Sequence, residues 1–157
     1  MLRYVAFLVA LIAVAAADKL EVEPCTGADA QTGTLTEVYS HNFTTGEDIE
    51  LLKGGVYVFG IKFTARENAP LLEPTIYGII GGIKVGWNGV NKEACQDLLD
   101  TNKCPVVSGR TYHYYTSIEI LNSYPSTRLT FQWGITAKTA SGTKGKNHIC
   151  FTMPARI

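Results

Sequence analysis

Four cysteines carry the most definite chemistry in the sequence, and their pattern favours covalent cross-links. Cys25, Cys95, Cys104 and Cys150 lack C-x-x-C spacing, which argues against redox catalysis. Their even number, in a chain that begins like a secretory signal, favours two disulfides. Three pairings are possible; one of them closes the short polar segment between Cys95 and Cys104 as a local loop.

The other residues that could do chemistry are scattered. His41, His113 and His148 show neither i, i+4 nor H-x-H spacing, so we predict no metal site. The sequence contains no G-x-S-x-G elbow, H-E-x-x-H helix, P-loop or dinucleotide fingerprint. The run that starts at Gly78, GIIGG, is predicted to form a hairpin turn rather than a phosphate-binding loop. We therefore expect no enzyme activity and no cofactor.

Length and charge point to one ordinary globular domain. The chain has 157 residues, of which 46% are hydrophobic and 18% are charged, enough for a sizeable core. Lys plus Arg and Asp plus Glu each number 14, so no net charge steers the protein towards polyanions. Nucleic acid is therefore not an expected partner.

The first residues are typical of a secretory signal peptide. Arg3 precedes an apolar run, and small residues at Ala15–Ala17 suit cleavage before Asp18. The uncharged run of about 14 residues is shorter than the roughly 20 that a membrane-spanning helix needs. We expect residues 1–17 to be removed and residues 18–157 to form the mature domain.

This signal predicts a secreted, extracellular protein or one of the endosomal or lysosomal lumen, an oxidising setting in which the cysteines can pair. In that setting the sequon at Asn42 predicts a glycosylation site on a surface turn.

Apolar and polar residues alternate along most of the mature chain and predict β-strands. Residues 66–74 and 141–147 are predicted loops, and only Lys92–Asp100 has the composition for a helical turn. Seven or eight strands with almost no helix indicate an all-β, immunoglobulin-like antiparallel β-sandwich. The predicted strands are Lys19–Glu23, Thr34–Ser40, Val56–Thr64, Thr75–Ile80, Ile83–Trp87, one from Thr111 to Leu121, Arg128–Thr136 and a last one through Ile149 and Met153, ended by Pro154.

Aromatic residues concentrate on the predicted inward faces of these strands. Every β-sandwich needs a packed core, so such rings are more often core than the wall of a ligand site. Tyrosines carry a polar tip that prefers a wet rim or a partner, so their concentration around one strand is unusual. These tyrosines are Tyr112, Tyr114, Tyr115 and Tyr124.

Over nearly the whole mature chain, the sequence resembles the MD-2-related lipid-recognition (ML) domain family and, within it, small secreted sterol carriers of Niemann-Pick type C2 type. The motifs that carry the resemblance are specific in their combination and order. They are Lys53-Gly54, Tyr57–Phe63, Gly78 with Gly82–Trp87, the loop from Cys95 to Cys104-Pro105, Gly109–Tyr114, Ser123–Ser126, Trp133 and Cys150–Pro154.

The resemblance implies a sandwich whose two sheets splay apart around a tunnel for a sterol, fatty acid or other lipid. It also implies the disulfides Cys25–Cys150 and Cys95–Cys104. By position, the entrance residues would be Trp87, Ile120, Tyr124 and Pro125, and the interior would be lined by Tyr57, Phe59, Val85, Tyr114, Phe131, Trp133 and Phe151.

Two departures separate this chain from the family pattern. Members usually have a third, very short disulfide where this chain has residues 43–49, which contain no cysteine. Two prolines common in the entrance strand are replaced by Lys84 and Gly86, which makes that rim more polar and more flexible.

We therefore expect a monomeric lipid carrier without a catalytic step, with transient contacts to a membrane or a lipid-acceptor protein. The alternative is an innate-immunity-type recognition module that presents a lipid or glycolipid to a receptor.

Overall fold

The computed structural model describes residues 18–41, 48–99 and 103–157, and their regular structure is almost entirely β. The predicted signal segment 1–17 and the predicted glycosylation site at Asn42 lie outside these residues. A short 3-10 turn occupies Gly27–Asp29. In the described part of the chain, no helix is long and apolar enough to cross a membrane. The strands are β1 Asp18–Lys19, β2 Glu23–Pro24, β3 Thr34–Ser40, β4 Ile49–Glu50, β5 Val56–Thr64, β6 Leu71–Ile80, β7 Ile83–Gly86, β8 Thr111–Glu119, β9 Arg128–Lys138 and β10 Lys144–Arg156.

The strands form two sheets that pack face to face. One sheet has the order β1-β3-β5-β8, and the other has the order β2-β10-β9-β6-β7, with β4 added beside β10. The pairings are antiparallel except for the two-residue parallel contact of β4 with β10. This architecture confirms the predicted antiparallel sandwich. The chain crosses from one sheet to the other between β1 and β2, so the single strand predicted over residues 19–23 is divided in two.

The inward faces of the long strands form the core, as the alternation predicts. The residues that share these faces are almost completely shielded from water, whereas their neighbours in the sequence mostly face outwards. Burial of these large apolar side chains supplies the main driving force for the fold. On β5 they are Tyr57, Phe59, Ile61 and Phe63; on β8, Tyr112, Tyr114 and Ile118; on β9, Leu129, Phe131, Trp133 and Ile135; on β10, Ile149, Phe151 and Met153.

Strand β6 begins four residues earlier than the sequence predicts and contains Pro74, where the sequence predicts a loop. The carbonyls of Leu72 and Ile76 accept hydrogen bonds from Ala94 and Trp87, and so point away from β9. Because successive residues alternate in direction, the nitrogen of Pro74 lies on that same side, where β7 does not yet pair with β6. A proline is tolerated there because no strand needs its missing N–H.

Strand β10 is also longer at both ends than the sequence predicts. The predicted loop at residues 141–147 is reduced to a tight turn, in which the Thr139 N–H donates to the Thr143 carbonyl over 3.0 Å. At the other end the strand continues past Pro154, which lies between the residues that pair with β2 and those that pair with β4. An N–H at Pro154 would therefore point into the gap between strands β2 and β4, where no strand needs it.

Both disulfides that the resemblance implies are present. Cys25–Cys150 ties the segment after β2 to the middle of β10, with a Cα separation of 5.3 Å. Cys95–Cys104 closes a loop that lies along the outer edge of β8, where the Leu99 N–H donates to the His113 carbonyl. Residues 94–97 form successive turns rather than a helix.

Candidate ligand site between the two sheets

Trp87 and Tyr124 meet at one end of the sandwich. Their rings contact edge to face with centroids 4.9 Å apart. Trp87 directly follows β7 and is held by its backbone N–H, which donates to the Ile76 carbonyl over 3.0 Å. Tyr124 belongs to the turn between β8 and β9, so the contact joins segments that leave opposite sheets. Both side chains are half-buried, as expected at a mouth.

An unbroken series of aromatic contacts leads inwards from this mouth. Trp87 contacts Phe131 at 5.2 Å between ring centroids, and Phe131 contacts Trp133 at 5.8 Å. Around Trp133, Phe59 lies at 4.9 Å and Tyr114 at 6.3 Å. Phe59 and Tyr114 come from one sheet, whereas Phe131 and Trp133 come from the other. The interior is therefore lined by aromatic rings from both sides.

The structure brings together most residues that the resemblance places in the interior, but not Val85. Val85 is 52% exposed, because β7 is a short edge strand whose four residues all face solvent. The residues that do share the interior are Tyr57, Phe59, Tyr114, Phe131, Trp133 and Phe151.

The residues assigned to the entrance divide into two groups. Trp87 and Tyr124 form the mouth described above, and Pro125 is exposed beside Tyr124. Ile120 is fully buried: its backbone N–H donates to the Gly55 carbonyl, and its carbonyl accepts from the Gly54 N–H. Ile120 therefore lies beneath the rim rather than on it.

Sequence reasoning missed the part that Gly78 plays in this mouth. Gly78 lies on the inward face of β6, and a β-carbon there would lie 3.4 Å from Leu129 Cδ1 and 4.0 Å from Trp87 Cζ3. Both are ordinary van der Waals distances, so Gly78 lies beside the indole of Trp87 and a methyl group there would just touch it. A glycine at an inward position of an apolar strand often marks a close approach, and this is the signal that the sequence offers for the position.

Four buried polar side-chain atoms of the aromatic interior have no hydrogen-bond partner among the described residues. They are the indole nitrogens of Trp87 and Trp133 and the hydroxyls of Tyr114 and Tyr124. Burial raises the pKa of Tyr114, with a smaller contribution from the charge of Asp97, so its phenol stays protonated at neutral pH. These groups can orient a bound molecule through hydrogen bonds.

A wide groove of about 1240 Å³ lies elsewhere, at the edge where the chain crosses between β1 and β2. Lys19, Glu21, Glu23 and Glu37 line it together with apolar side chains, and it is open to solvent. An apolar ligand needs a site that excludes water, so we favour the aromatic interior as the ligand site.

Two antiparallel sheets packed around an aromatic interior define an immunoglobulin-like β-sandwich. A family sequence profile described as the ML domain matches residues 19–157. The chain belongs to the ML domain family.

Relatives of known identity match over their full length. The chain is 29% identical over 158 residues to NPC intracellular cholesterol transporter 2 homolog a of Drosophila melanogaster, covering 100% of this chain and 99% of that protein. It is 25% identical over 156 residues to NPC intracellular cholesterol transporter 2 of Mus musculus, covering 99% of both chains.

Among solved structures, the Niemann-Pick type C2 protein from Japanese carpenter ant superposes with a TM-score of 0.72 at 18% sequence identity. The match covers 88% of this chain and 99% of that one, and supports the fold.

Proposed function

We propose that this protein holds a sterol, fatty acid or related apolar lipid between its two sheets and carries it through water without changing it chemically. The observation that carries the proposal is the aromatic path from the mouth at Trp87 and Tyr124 to the buried Trp133. Two full-length relatives named as cholesterol transporters support it, and for that reason we do not favour the receptor-presenting alternative.

Hydrophobic transfer supplies the binding energy. At about 0.8 kcal/mol per buried methylene, ten methylenes of ligand give roughly 8 kcal/mol before ordering costs, which suffices for micromolar binding. A lipid enters when the rings at the mouth move apart, and it then separates interior side chains that contact each other in the lipid-free protein. No charged anchor is required.

The test uses the two tryptophans as reporters. A fluorescent sterol or fatty acid should bind at one molecule per protein and accept energy from Trp87 and Trp133. Ile120→Phe should block uptake, because a larger ring beneath the mouth fills the entry path. Ile120→Val is the matched control. Its smaller side chain leaves more space at the same position, so uptake should stay intact.

Circular dichroism must establish that both variants fold. Well-folded protein that binds no sterol, fatty acid or phospholipid would contradict the proposal, as would uptake unchanged by Ile120→Phe. Mass spectrometry of the recovered lipid would detect any chemical change.

We further propose that a monomer delivers its lipid by brief contact of the mouth with a membrane. Large apolar side chains are exposed on the segments that form the mouth: Ile83 is 70% exposed on β7, and Leu52 is 64% exposed in the turn that covers Ile120. Such exposure around one opening suits docking onto an apolar surface.

Ile83→Ser should slow lipid transfer between vesicles without changing equilibrium binding. Val107→Ser, which changes an exposed valine far from the mouth, is the control. Equal transfer rates for both variants would contradict membrane docking at this end. Size-exclusion chromatography with light scattering tests the monomeric state.

The same proposal includes secretion, or delivery to the endosomal or lysosomal lumen. We expect the mature chain to begin at or near Asp18 and Asn42 to carry a glycan in eukaryotic cells. N-terminal sequencing and glycosidase treatment check both points. A secreted protein that retained Met1 would contradict the signal assignment.

A further inference from the structure

The site contains two contacting Trp–Tyr pairs, one behind the other. The outer pair is Trp87 with Tyr124, and the inner pair is Trp133 with Tyr114, whose ring centroids are 6.3 Å apart. Phe131 contacts both tryptophans and separates the pairs. In each pair the indole N–H and the phenol hydroxyl are buried and have no hydrogen-bond partner in the part of the chain that the structure describes. The repetition of the same unpaired groups at two depths is the observation that needs an explanation.

The hydroxyl groups of two other deeply buried tyrosines do have hydrogen-bond partners. The hydroxyl of Tyr57 accepts a hydrogen bond from the Leu52 N–H over 2.6 Å, and that of Tyr112 accepts one from the Val107 N–H over 2.8 Å. Tyr112 and Tyr114 are two residues apart on the same face of β8. The unpaired hydroxyl of Tyr114 is therefore not a general consequence of placing tyrosine in this core.

The surroundings of the inner pair are dry and apolar. Tyr114 and Trp133 are completely buried, and Phe59 and Phe151 pack against the indole. Thr116 opposes the rise in the Tyr114 pKa in part, but no described residue, Thr116 included, meets both the distance and the angle of a hydrogen bond to the Tyr114 hydroxyl. Buried polar groups without partners destabilise a protein, so most are satisfied or serve a ligand.

We infer that the inner Trp–Tyr pair binds a neutral oxygen of the ligand, so that the natural ligand is a lipid oxygenated at both ends. The inference rests on the proposed function and names its ligand class more closely. The inner oxygen is a hydroxyl or carbonyl group, because an indole N–H only donates and a phenol can donate or accept. A carboxylate does not suit the inner position, because the described rings that contact the pair carry no positive charge to offset its desolvation. The outer pair contacts the polar group that stays at the mouth.

Matched ligands test the inference directly. The first pair is cholesterol and cholesterol hydroxylated at the end of its side chain; the second is a saturated fatty acid and its ω-hydroxy counterpart of equal length. We expect the doubly oxygenated member of at least one pair to bind about tenfold more tightly, the effect of one net hydrogen bond.

Tyr114→Phe should reduce this preference, because it leaves the Trp133 N–H as the remaining donor of the inner pair. Tyr112→Phe is the matched control: it removes a hydroxyl that already bonds the backbone and should retain the full preference. Equal affinity within both ligand pairs for the wild-type protein would overturn the inference, as would a preference that Tyr114→Phe leaves undiminished.

Stability without added lipid gives a second readout. Tyr114→Phe should leave the melting temperature unchanged or raise it, whereas Tyr112→Phe should lower it by about 3 °C. Equal losses would mean that the Tyr114 hydroxyl has a protein partner, which also overturns the inference. Binding without preference would leave the proposed function standing; binding of none of the four lipids would overturn both.

Discussion

The ring of Tyr39 lies over Gly60 on the outer face of the sandwich, so closely that a β-carbon on Gly60 would be 2.1 Å from Tyr39 Cζ. The two residues are directly opposite each other on β3 and β5. On the other side of Gly60 is Tyr115 of β8, whose ring centroid is 6.1 Å from that of Tyr39. A glycine within a strand weakens a sheet, and an aromatic ring across it restores packing.

Gly60→Ala should destabilise the protein by about 1 kcal/mol, because the new methyl group displaces the Tyr39 ring. Tyr39→Ala should cost a similar amount. Because both changes remove the same contact, the double variant should lose less stability than the two single losses combined. Urea denaturation of the four proteins measures this coupling. If the losses of stability in the two single variants simply add up in the double variant, the packing of the Tyr39 ring does not depend on Gly60.

The two disulfides should contribute unequally. Cys25–Cys150 spans 125 residues and Cys95–Cys104 spans 9. By loop entropy, replacing the first pair with serines should cost nearly 5 kcal/mol and replacing the second about 2.5 kcal/mol. Thermal denaturation of the paired serine variants measures the difference. A larger loss at the short loop would mean that its native contacts with β8 outweigh the entropy of the unfolded chain.

His148 should make the fold sensitive to mild acid. It lies where an irregularity interrupts the pairing of β10 with β9, and both of its ring nitrogens are buried with no hydrogen-bond partner among the residues described. Burial lowers its pKa below the ordinary 6.5, and the charge of Glu67 opposes this only in part. The unfolded chain therefore takes up the proton more readily, so stability falls as pH drops below about 6.5.

His148→Leu should flatten this loss between about pH 6.5 and pH 5, whereas His113→Leu on the outer face of β8 should not. Denaturant melts across that range measure the slopes. Parallel slopes for the wild-type protein and His148→Leu would contradict the assignment.

Glu73 should produce a separate loss of stability at lower pH. Burial raises its pKa, but hydrogen bonds and charge from Lys144 and Lys138 outweigh burial and lower it below 4.5. Its side chain is 12% exposed, and the two lysine nitrogens lie 2.6 and 2.9 Å away. This contribution is present above the carboxyl's ordinary pKa and is lost as pH falls through the lowered value.

Glu73→Gln should cost about 1 to 3 kcal/mol at neutral pH and remove that acid step. Denaturation at pH 7 and in the carboxyl range measures both effects. No stability change at neutral pH would contradict the assignment.

Alternation predicted the sheets well because every long strand has one dry face, although residues 131–136 of β9 and 148–151 of β10 are buried on both faces. Tyr57 to Phe63 on β5 and Leu129 to Ile135 on β9 are buried on the expected parity. Prolines misled the prediction at Pro74 and Pro154, because local sequence does not reveal which side of a strand lacks a neighbour.

The sequence predicts the candidate site less completely than the sheets. The resemblance grouped the interior aromatic residues, but exposure of Val85 depends on where β7 ends relative to the opposite sheet. The unpaired hydroxyl of Tyr114 and the paired one of Tyr112 look identical in sequence. Their difference arises from Val107, whose N–H reaches only Tyr112.

Pro74 and the segment beside it also bear on how the protein resists aggregation. An uncovered strand edge offers unpaired N–H groups to a second chain and can seed fibres. Along β6 the edge offers no N–H at Pro74, and at Leu72 the N–H contacts Cys95 Sγ at 3.2 Å. The loop closed by Cys95–Cys104 thus protects the edge that β7 leaves bare, and reducing that bond would put solubility at risk before the core unfolds.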